Sequence, residues 1–147
     1  MHFHGYAWAG DGRLLAKESE RRPVEGGGFR TSGLPPMMTG WWLLRPAAQI
    51  RGTWTTPTDA ADWLAERYAE HTPDGDPWLP LPTRHRYAIA QLADASDVVW
   101  SRWLSGSRWS GHYAITCPNR TWPTIPCPAG LAAPPPAPTV TRLAARR

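Results

Sequence analysis

Proline and glycine set the strongest limit on what this chain can fold into. Its 147 residues include 17 prolines and 13 glycines. Proline lacks a backbone N–H donor, and glycine loses more conformational entropy than other residues when it is ordered. The two residues therefore divide the chain into short elements, and long helices are not expected. The length suffices for one domain with a modest core but not for two ordinary domains.

Two segments carry the signals of short helices. Thr56-Pro57 can begin the first, because threonine caps a helix and proline is tolerated at the first helical position. This helix is predicted to end near His71, and a second helix is predicted over about 83–95. Apolar residues recur at helical spacing in both. They are Ala61, Leu64, Ala65 and Tyr68 in the first helix, and Ala88, Ile89, Leu92 and Ala93, together with His85, in the second.

The remaining patterned segments favour antiparallel strands. Asp11-Gly12 suits a type I′ turn between strands near 3–10 and 13–20. Residues 40–46 (GWWLLRP) and 48–56 (AQIRGTWTT) are predicted as two further strands, whereas residues 21–40 read as a loop. The predicted fold class is α+β, with antiparallel β-hairpins and two short helices. One domain is expected over 1–128, followed over 129–147 by a flexible, basic, Pro/Ala-rich tail of disordered composition.

The tryptophan-rich stretch VVWSRWLSGSRWSGHYAIT, residues 98–116, predicts the central hairpin. Gly106-Ser107 suits a two-residue type II′ turn. This turn places Val98 opposite Ile115, and one apolar face of the hairpin would then be buried. The buried face would also pair Trp100 with Tyr113 and Leu104 with Trp109, while the polar face would carry Ser101, Trp103, Arg108, Ser110 and His112. Trp103 is expected to be exposed, where it can stack on a guanidinium or on a ligand ring.

The two cysteines lie in the next segment, TCPNRTWPTIPCP, residues 116–128. Its prolines predict a fixed loop over the sheet, with Cys117 buried. Two packed thiols are favoured over a disulfide between Cys117 and Cys127, and a disulfide is favoured over zinc. A structural zinc site needs four ligands, usually in close pairs, and here His112, His85 or the His2/His4 pair would have to complete it from distant parts of the chain. His2 and His4 share one strand face but are expected to be solvated near a ragged terminus. No metal site and no cofactor is therefore predicted.

Charge and motifs narrow the function classes. Residues 58–97 contain eight acidic residues and three arginines, whereas residues 98–147 contain six arginines and no acid. Neutralisation of one region by the other is the favoured interpretation, and a basic arm for nucleic acid or for an anionic lipid surface is the alternative. Phosphate-binding, zinc-protease and nucleophile-elbow motifs are missing, so the chain is predicted not to be an enzyme.

The order of features over residues 84–128 resembles a known group of proteins. A basic helix is followed by an Asp-Val-Val-Trp strand, a Gly-Ser turn, a Tyr-Ala-Ile strand, Cys-Pro-Asn-Arg and then Pro-Cys-Pro. This order is similar to small transfer and spread proteins encoded on conjugative plasmids of actinomycetes. The resemblance implies an accessory role in plasmid transfer and intramycelial spread, with no catalytic residues. Several spread proteins look membrane-embedded, whereas this sequence has no run of the ~18 apolar residues that a spanning helix needs.

Two functional hypotheses follow from these patterns. The first is a non-enzymatic accessory protein that contacts other plasmid transfer proteins. It would be cytoplasmic and, where membrane-associated, held there through a partner. The alternative is a nucleic-acid-binding accessory or regulator, in which arginines contact phosphates of DNA and tryptophans stack on bases. The candidate binding residues for either are Arg102, Trp103, Arg108, His112, Arg120 and Trp122.

Overall fold

The computed structural model describes residues 1–72 and 75–132, and these form an α+β domain, as predicted. Four antiparallel strands make one sheet: β1 (His2–Asp11), β2 (Gly52–Trp54), β3 (Val98–Trp103) and β4 (Arg108–Cys117). Their order in the sheet is β2-β1-β4-β3. Most of the predicted tail, residues 133–147, lies outside the described residues.

Strand β1 lies in the middle of the sheet rather than in a local hairpin. It pairs with β4 at all ten of its residues, from His2 opposite Cys117 to Asp11 opposite Arg108. The predicted Asp11-Gly12 hairpin is therefore wrong. The Asp11 carboxylate instead accepts a hydrogen bond from the Arg13 N–H and caps a 3-10 helix over Gly12–Ala16. A short helix, α1 (Glu18–Arg21), follows.

The strand predicted over 40–46 is also wrong, and the one predicted over 48–56 is reduced to β2. A 3-10 helix occupies Thr39–Leu44. The buried guanidinium of Arg45 explains this local structure, because it donates to the backbone carbonyls of Ser32, Leu34 and Glu20. Arg45 thereby ties the irregular segment into a layer against the sheet.

The two longer helices agree with the sequence prediction. They are α2 (Pro57–Ala69) and α3 (Leu81–Ala93), and the Thr56 hydroxyl caps α2 by accepting from the Asp59 N–H at 3.1 Å. Both helices pack on one face of the sheet. The core on this helix face consists of Phe3, Ala60, Ala61, Leu64, Tyr68, Ala88, Leu92, Val98, Trp100 and Ala114.

The β3–β4 hairpin forms as predicted, but its register is shifted by one residue. Val98 lies opposite Ala114 and Trp100 lies opposite His112. Three residues, not two, make the turn, because the Leu104 N–H donates to the Arg108 carbonyl and Gly106 adopts a φ of +68° between them. The predicted polar face is therefore wrong, because this pairing divides its residues between the two sides of the sheet. Ser101 and Trp103 lie on the loop side, whereas Arg108, Ser110 and His112 lie on the helix side with Trp100.

The second face of the sheet is buried as well over the central strands β1 and β4. Its core consists of Tyr6, Trp42, Leu43, Tyr113, Ile115 and Cys117, with Ile125 and Cys127 packed against it. The loop after β4 thus returns over the sheet, as the prolines predicted. This loop face brings the start of β1, the end of β4 and the returning loop to one place. In the described part of the chain, no helix has both the length and the apolar character required to cross a membrane.

Candidate metal centre

Four side chains with metal-binding chemistry converge on the loop face of the sheet. They are His2, His4, Cys117 and Cys127, and one ligand atom from each lies within 4.8 Å of all the others. Strand β1 supplies both histidines, because alternate residues of a strand point to the same face. The last residue of β4 supplies Cys117, which lies directly opposite His2. The returning loop supplies Cys127.

The distances among three of these atoms are close to those of a tetrahedral zinc site. The Nε2 atoms of His2 and His4 are 3.1 Å apart, and each lies 3.4 Å from the Cys127 Sγ. Zinc bonds of ~2.0–2.1 Å to nitrogen and ~2.3 Å to sulfur place tetrahedral ligand atoms ~3.3 Å apart for two nitrogens and ~3.6 Å apart for nitrogen and sulfur. His2, His4 and Cys127 would therefore need little movement to bind a cation, and the 4.8 Å limit on the whole set leaves about 1 Å of adjustment to complete the tetrahedron.

The centre is buried, contrary to the expectation of solvated histidines. His4 is 0% exposed, His2 is 6% exposed and Cys117 is 2% exposed. Burial, together with the charge of nearby His2, lowers the pKa of His4 to about 4, so its imidazole is neutral at pH 7. Burial also raises the pKa of the Cys117 thiol to about 12 in the absence of a cation. A divalent cation with two thiolates and two neutral imidazoles would make a site without net charge.

A hydrogen bond outside the four ligands orients one of the histidines. The His4 Nδ1 lies 2.8 Å from the Thr53 Oγ1 on β2, which pairs with His4 across the sheet. In the tautomer that can serve a metal, Nδ1–H donates to this hydroxyl and the Nε2 lone pair points to the cysteines. Such partners fix the ring and its tautomer in known metal sites.

A second set of hydrogen bonds fixes the loop that carries Cys127. The Asp97 carboxylate accepts from the Thr116 N–H at 2.9 Å, from the Thr116 hydroxyl and from the Asn119 amide. The Asn119 Oδ1 in turn accepts from the backbone N–H groups of Thr121 and Trp122, both at 3.1 Å. The chain is therefore held on both sides of Cys117 where it leaves the sheet.

The chemistry of the cluster is that of a closed, structural metal site. Two thiols and two imidazoles are ligands that suit Zn²⁺, and four protein ligands in a tetrahedral site would leave no coordination position for a substrate. Both cysteines are free thiols in the structure. The same proximity of sulfurs would also allow the disulfide that the sequence left open.

The six residues predicted to bind a partner do not form one surface. Trp103 is 60% exposed, as predicted, and Arg108 is exposed at the same end of the sheet. Arg102 instead lies on the helix side, with its guanidinium 5.7 Å from the centre of the Tyr68 ring. His112 packs edge-on against Trp63, and burial lowers its pKa.

The other two predicted residues lie beyond the opposite end of β4. Arg120 is exposed and lies 3.4 Å from the Asp94 carboxylate. Trp122 is half-buried against Trp41, with ring centres 5.8 Å apart. Strand β4 has ten residues, and these two side chains are therefore separated from Trp103 and Arg108 by its length of ~30 Å.

From sequence, zinc is the least favoured option for the two cysteines because the histidines that could complete the site are far away in the chain. His2 and Cys117 become neighbours only through the pairing of β1 with β4, and no local motif indicates that pairing. The sequence did contain one indication of the site, namely the alternation of side chains along each strand. Residues His2, His4 and Tyr6 share one face of β1. On β4, one face is shared by Tyr113, Ile115 and Cys117.

Comparison of the chain with protein-family models, with curated proteins and with solved structures found no match.

Proposed function

We propose that this protein is a zinc-binding, non-enzymatic accessory protein in which the metal joins β1, β4 and the loop after β4. The observation that carries the proposal is the convergence of His2, His4, Cys117 and Cys127, whose ligand atoms all lie within 4.8 Å of one another. A site closed by four protein ligands supports a structural role for the metal, because catalytic zinc keeps a position open.

A bound metal would stabilise the loop-face core, which has no regular helix packed on it among the residues that the structure describes. The loop-face core rests on an irregular segment and a proline-rich loop rather than on helices. A structural zinc contributes its binding free energy to folding, because the unfolded chain has no preformed site. Zinc is therefore expected to hold the loop on the sheet.

The test is the metal content of the protein purified without chelators or metal-affinity resins. Elemental mass spectrometry should find one zinc per chain. Cys117→Ser and His4→Ala should each lose most of it, whereas His71→Ala should retain it, because this exposed histidine lies outside the cluster. Zinc-free protein that takes up no Zn²⁺ on titration would refute the proposal.

The proposed biological setting is plasmid transfer and spread in actinomycetes, where the protein would act in the cytoplasm through contacts with other transfer proteins. The resemblance over residues 84–128 supports this setting. Deletion of the gene from a conjugative plasmid should reduce spread without abolishing replication. Complementation by the wild type, but not by Cys117→Ser, would link the metal centre to that role, and normal spread after deletion would contradict it.

An exposed aromatic cluster supports the protein-contact part of the proposal. Trp78 is 93% exposed, and it lines the same cavity of about 370 Å³ as Trp103, Arg84 and Arg102. Tryptophan and arginine are the residues most often found at the centres of protein interfaces. Trp78→Ala with Trp103→Ala should abolish capture of transfer-operon products by the tagged protein, and Tyr87→Ala, at another exposed aromatic ring, is the matched control.

Nucleic acid is the second candidate partner for the same cavity. The indoles of Trp78 and Trp103 could stack on bases, and the guanidinium groups of Arg84 and Arg102 could contact phosphates. Binding of single-stranded DNA that weakens steeply as salt rises from about 50 to 200 mM would favour this alternative. Absence of binding at the lower salt concentration would exclude it.

A further inference from the structure

The two cysteines of the candidate metal centre differ in their access to solvent. Cys117 is buried in the sheet, whereas Cys127 is half-buried on a loop. A cavity of about 280 Å³ opens beside the centre and is lined by both cysteines and His2. The rest of its lining is largely apolar, consisting of Pro118, Pro123, Thr124, Ile125, Pro126 and Leu131.

We propose that small hydroperoxides enter this cavity and oxidise the two cysteines to a disulfide, which releases the zinc. The inference rests on the zinc binding proposed above. Metal coordination keeps both sulfurs as thiolates, and thiolates are the nucleophiles of thiol oxidation. The substrate class is a small, uncharged hydroperoxide, because the cavity is of limited volume and mostly apolar.

The reaction has two steps. The Cys127 thiolate attacks the terminal oxygen of the hydroperoxide, the O–O bond breaks, and Cys127 becomes a sulfenic acid while the alcohol leaves after taking a proton from water. The Cys117 thiolate then attacks the Cys127 sulfur, the S–S bond forms, and hydroxide leaves. Two thiolates have been oxidised by two electrons, and one hydroperoxide and one water have become an alcohol and two hydroxide ions.

The geometry allows the second step with a small movement of the loop. The ligand atoms lie within 4.8 Å of one another, and a disulfide requires an S–S distance of about 2.05 Å. Cys127 is the member that can approach, because it lies on an irregular loop and Cys117 belongs to the central pair of strands. Two of the four ligands are then lost, and two imidazoles alone retain zinc weakly.

The experiment treats the zinc-loaded full chain with tert-butyl hydroperoxide and follows two signals. A chromogenic indicator measures released zinc, and intact mass with alkylation measures the disulfide. The chain has only two cysteines, so the disulfide is unambiguous. We expect one zinc released per disulfide, with recovery after a thiol reductant and added Zn²⁺. Glutathione disulfide, which is larger than the cavity, should react at least tenfold more slowly.

A cavity variant tests the route of entry without touching a ligand. Leu131→Trp should fill the cavity and slow zinc release several-fold, whereas Leu14→Trp, at another exposed leucine, should not. Dimedone added with the hydroperoxide to the zinc-loaded wild type should trap a sulfenic acid on Cys127, located by peptide mass. An adduct on Cys117, with none on Cys127, would overturn the proposed order of attack.

The two proposals fail in different ways. Zinc that stays bound, with both thiols reduced, in excess hydroperoxide would overturn the oxidation and leave zinc binding intact. Protein that contains no zinc before treatment and takes none up would overturn both.

Discussion

Thr53 connects β2 to the candidate metal centre through a hydrogen bond with His4. In the His4 tautomer that can bind a metal, the Thr53 hydroxyl accepts from Nδ1–H, and the Nε2 lone pair then points toward the two sulfurs. Thr53→Val keeps the shape of the side chain but removes this acceptor. Zinc affinity, measured by competition with a chromogenic chelator, should fall about 10- to 100-fold.

Thr31→Val is the matched control for Thr53→Val. Thr31 is exposed, and its hydroxyl contacts only the Gly28 carbonyl. Zinc affinity should be unchanged in this variant. Equal affinity of wild type and Thr53→Val would show that the hydroxyl does not orient His4.

Individual residues differ in how well the sequence predicted them. Trp103 shares its strand with polar residues, and its exposure was predicted correctly. His2 and His4 were expected in solvent because they lie near the start of the chain. They are buried because β1 occupies the centre of the sheet and the loop after β4 covers its first residues. Position in the chain is therefore a poor guide to burial when an early strand pairs with a late one.

At the scale of elements, the β3–β4 register shows why local patterns were insufficient. The predicted pairing of Val98 with Ile115 requires that the hairpin buries one face only. In such a hairpin, a slip of one residue would expose apolar side chains. Both faces of β4 are buried, Ala114 against the helices and Tyr113 and Ile115 against the loop layer. The apolar pattern of β4 therefore does not indicate which of its two faces Val98 and Trp100 share, although β3 itself buries only one face.

The turns and caps of the helices, by contrast, are local signals and were predictable. Thr56-Pro57 begins α2 as expected because the cap and the fixed φ of proline act within a few residues. Asp11-Gly12 failed as a turn signal because the side chain of Asp11 is used to cap a 3-10 helix.

Asp97 holds the elements around the candidate metal centre together, because its carboxylate joins the end of β4 to the start of the returning loop. Asp97→Ala leaves the Thr116 N–H and the Asn119 amide without their acceptor. We expect the free energy of unfolding to fall by about 2 kcal/mol, since these are hydrogen bonds to a charged group. Zinc affinity should fall as well, because the loop no longer holds Cys127 in place.

Urea unfolding of the zinc-loaded protein measures this prediction. Asp94→Ala is the control, because this neighbouring carboxylate is exposed and contacts only Arg120. A loss of stability in Asp94→Ala as large as that in Asp97→Ala would contradict the anchoring role.

At the scale of the whole molecule, the sheet separates two cores of different kinds. The helix face is built from regular elements and apolar side chains, whereas the loop face is built from 3-10 turns, a buried arginine and a proline-rich loop. The fold class followed from composition and periodicity. The division of the sheet into two buried faces did not, because it depends on the long-range pairing of β1 with β4.

Because the two cores lie on opposite faces of the sheet, removal of the metal is expected to destabilise the loop face and to leave the helices in place. Chelation should leave the helical circular dichroism largely unchanged, because α2 and α3 pack on the other face. The melting temperature should fall on the order of 10 °C, as expected when free zinc is about 1,000-fold above its dissociation constant. Identical melting of the chelated and zinc-loaded proteins would show that the metal does not support the fold.

X-ray absorption at the zinc K-edge tests the central claim most directly, because it reports the identity and distance of the atoms around the metal. The four-ligand site predicts about two sulfurs at ~2.3 Å and about two nitrogens at ~2.0–2.1 Å. A first shell made only of oxygen and nitrogen atoms would contradict it, because neither Cys117 nor Cys127 would then be bound to zinc.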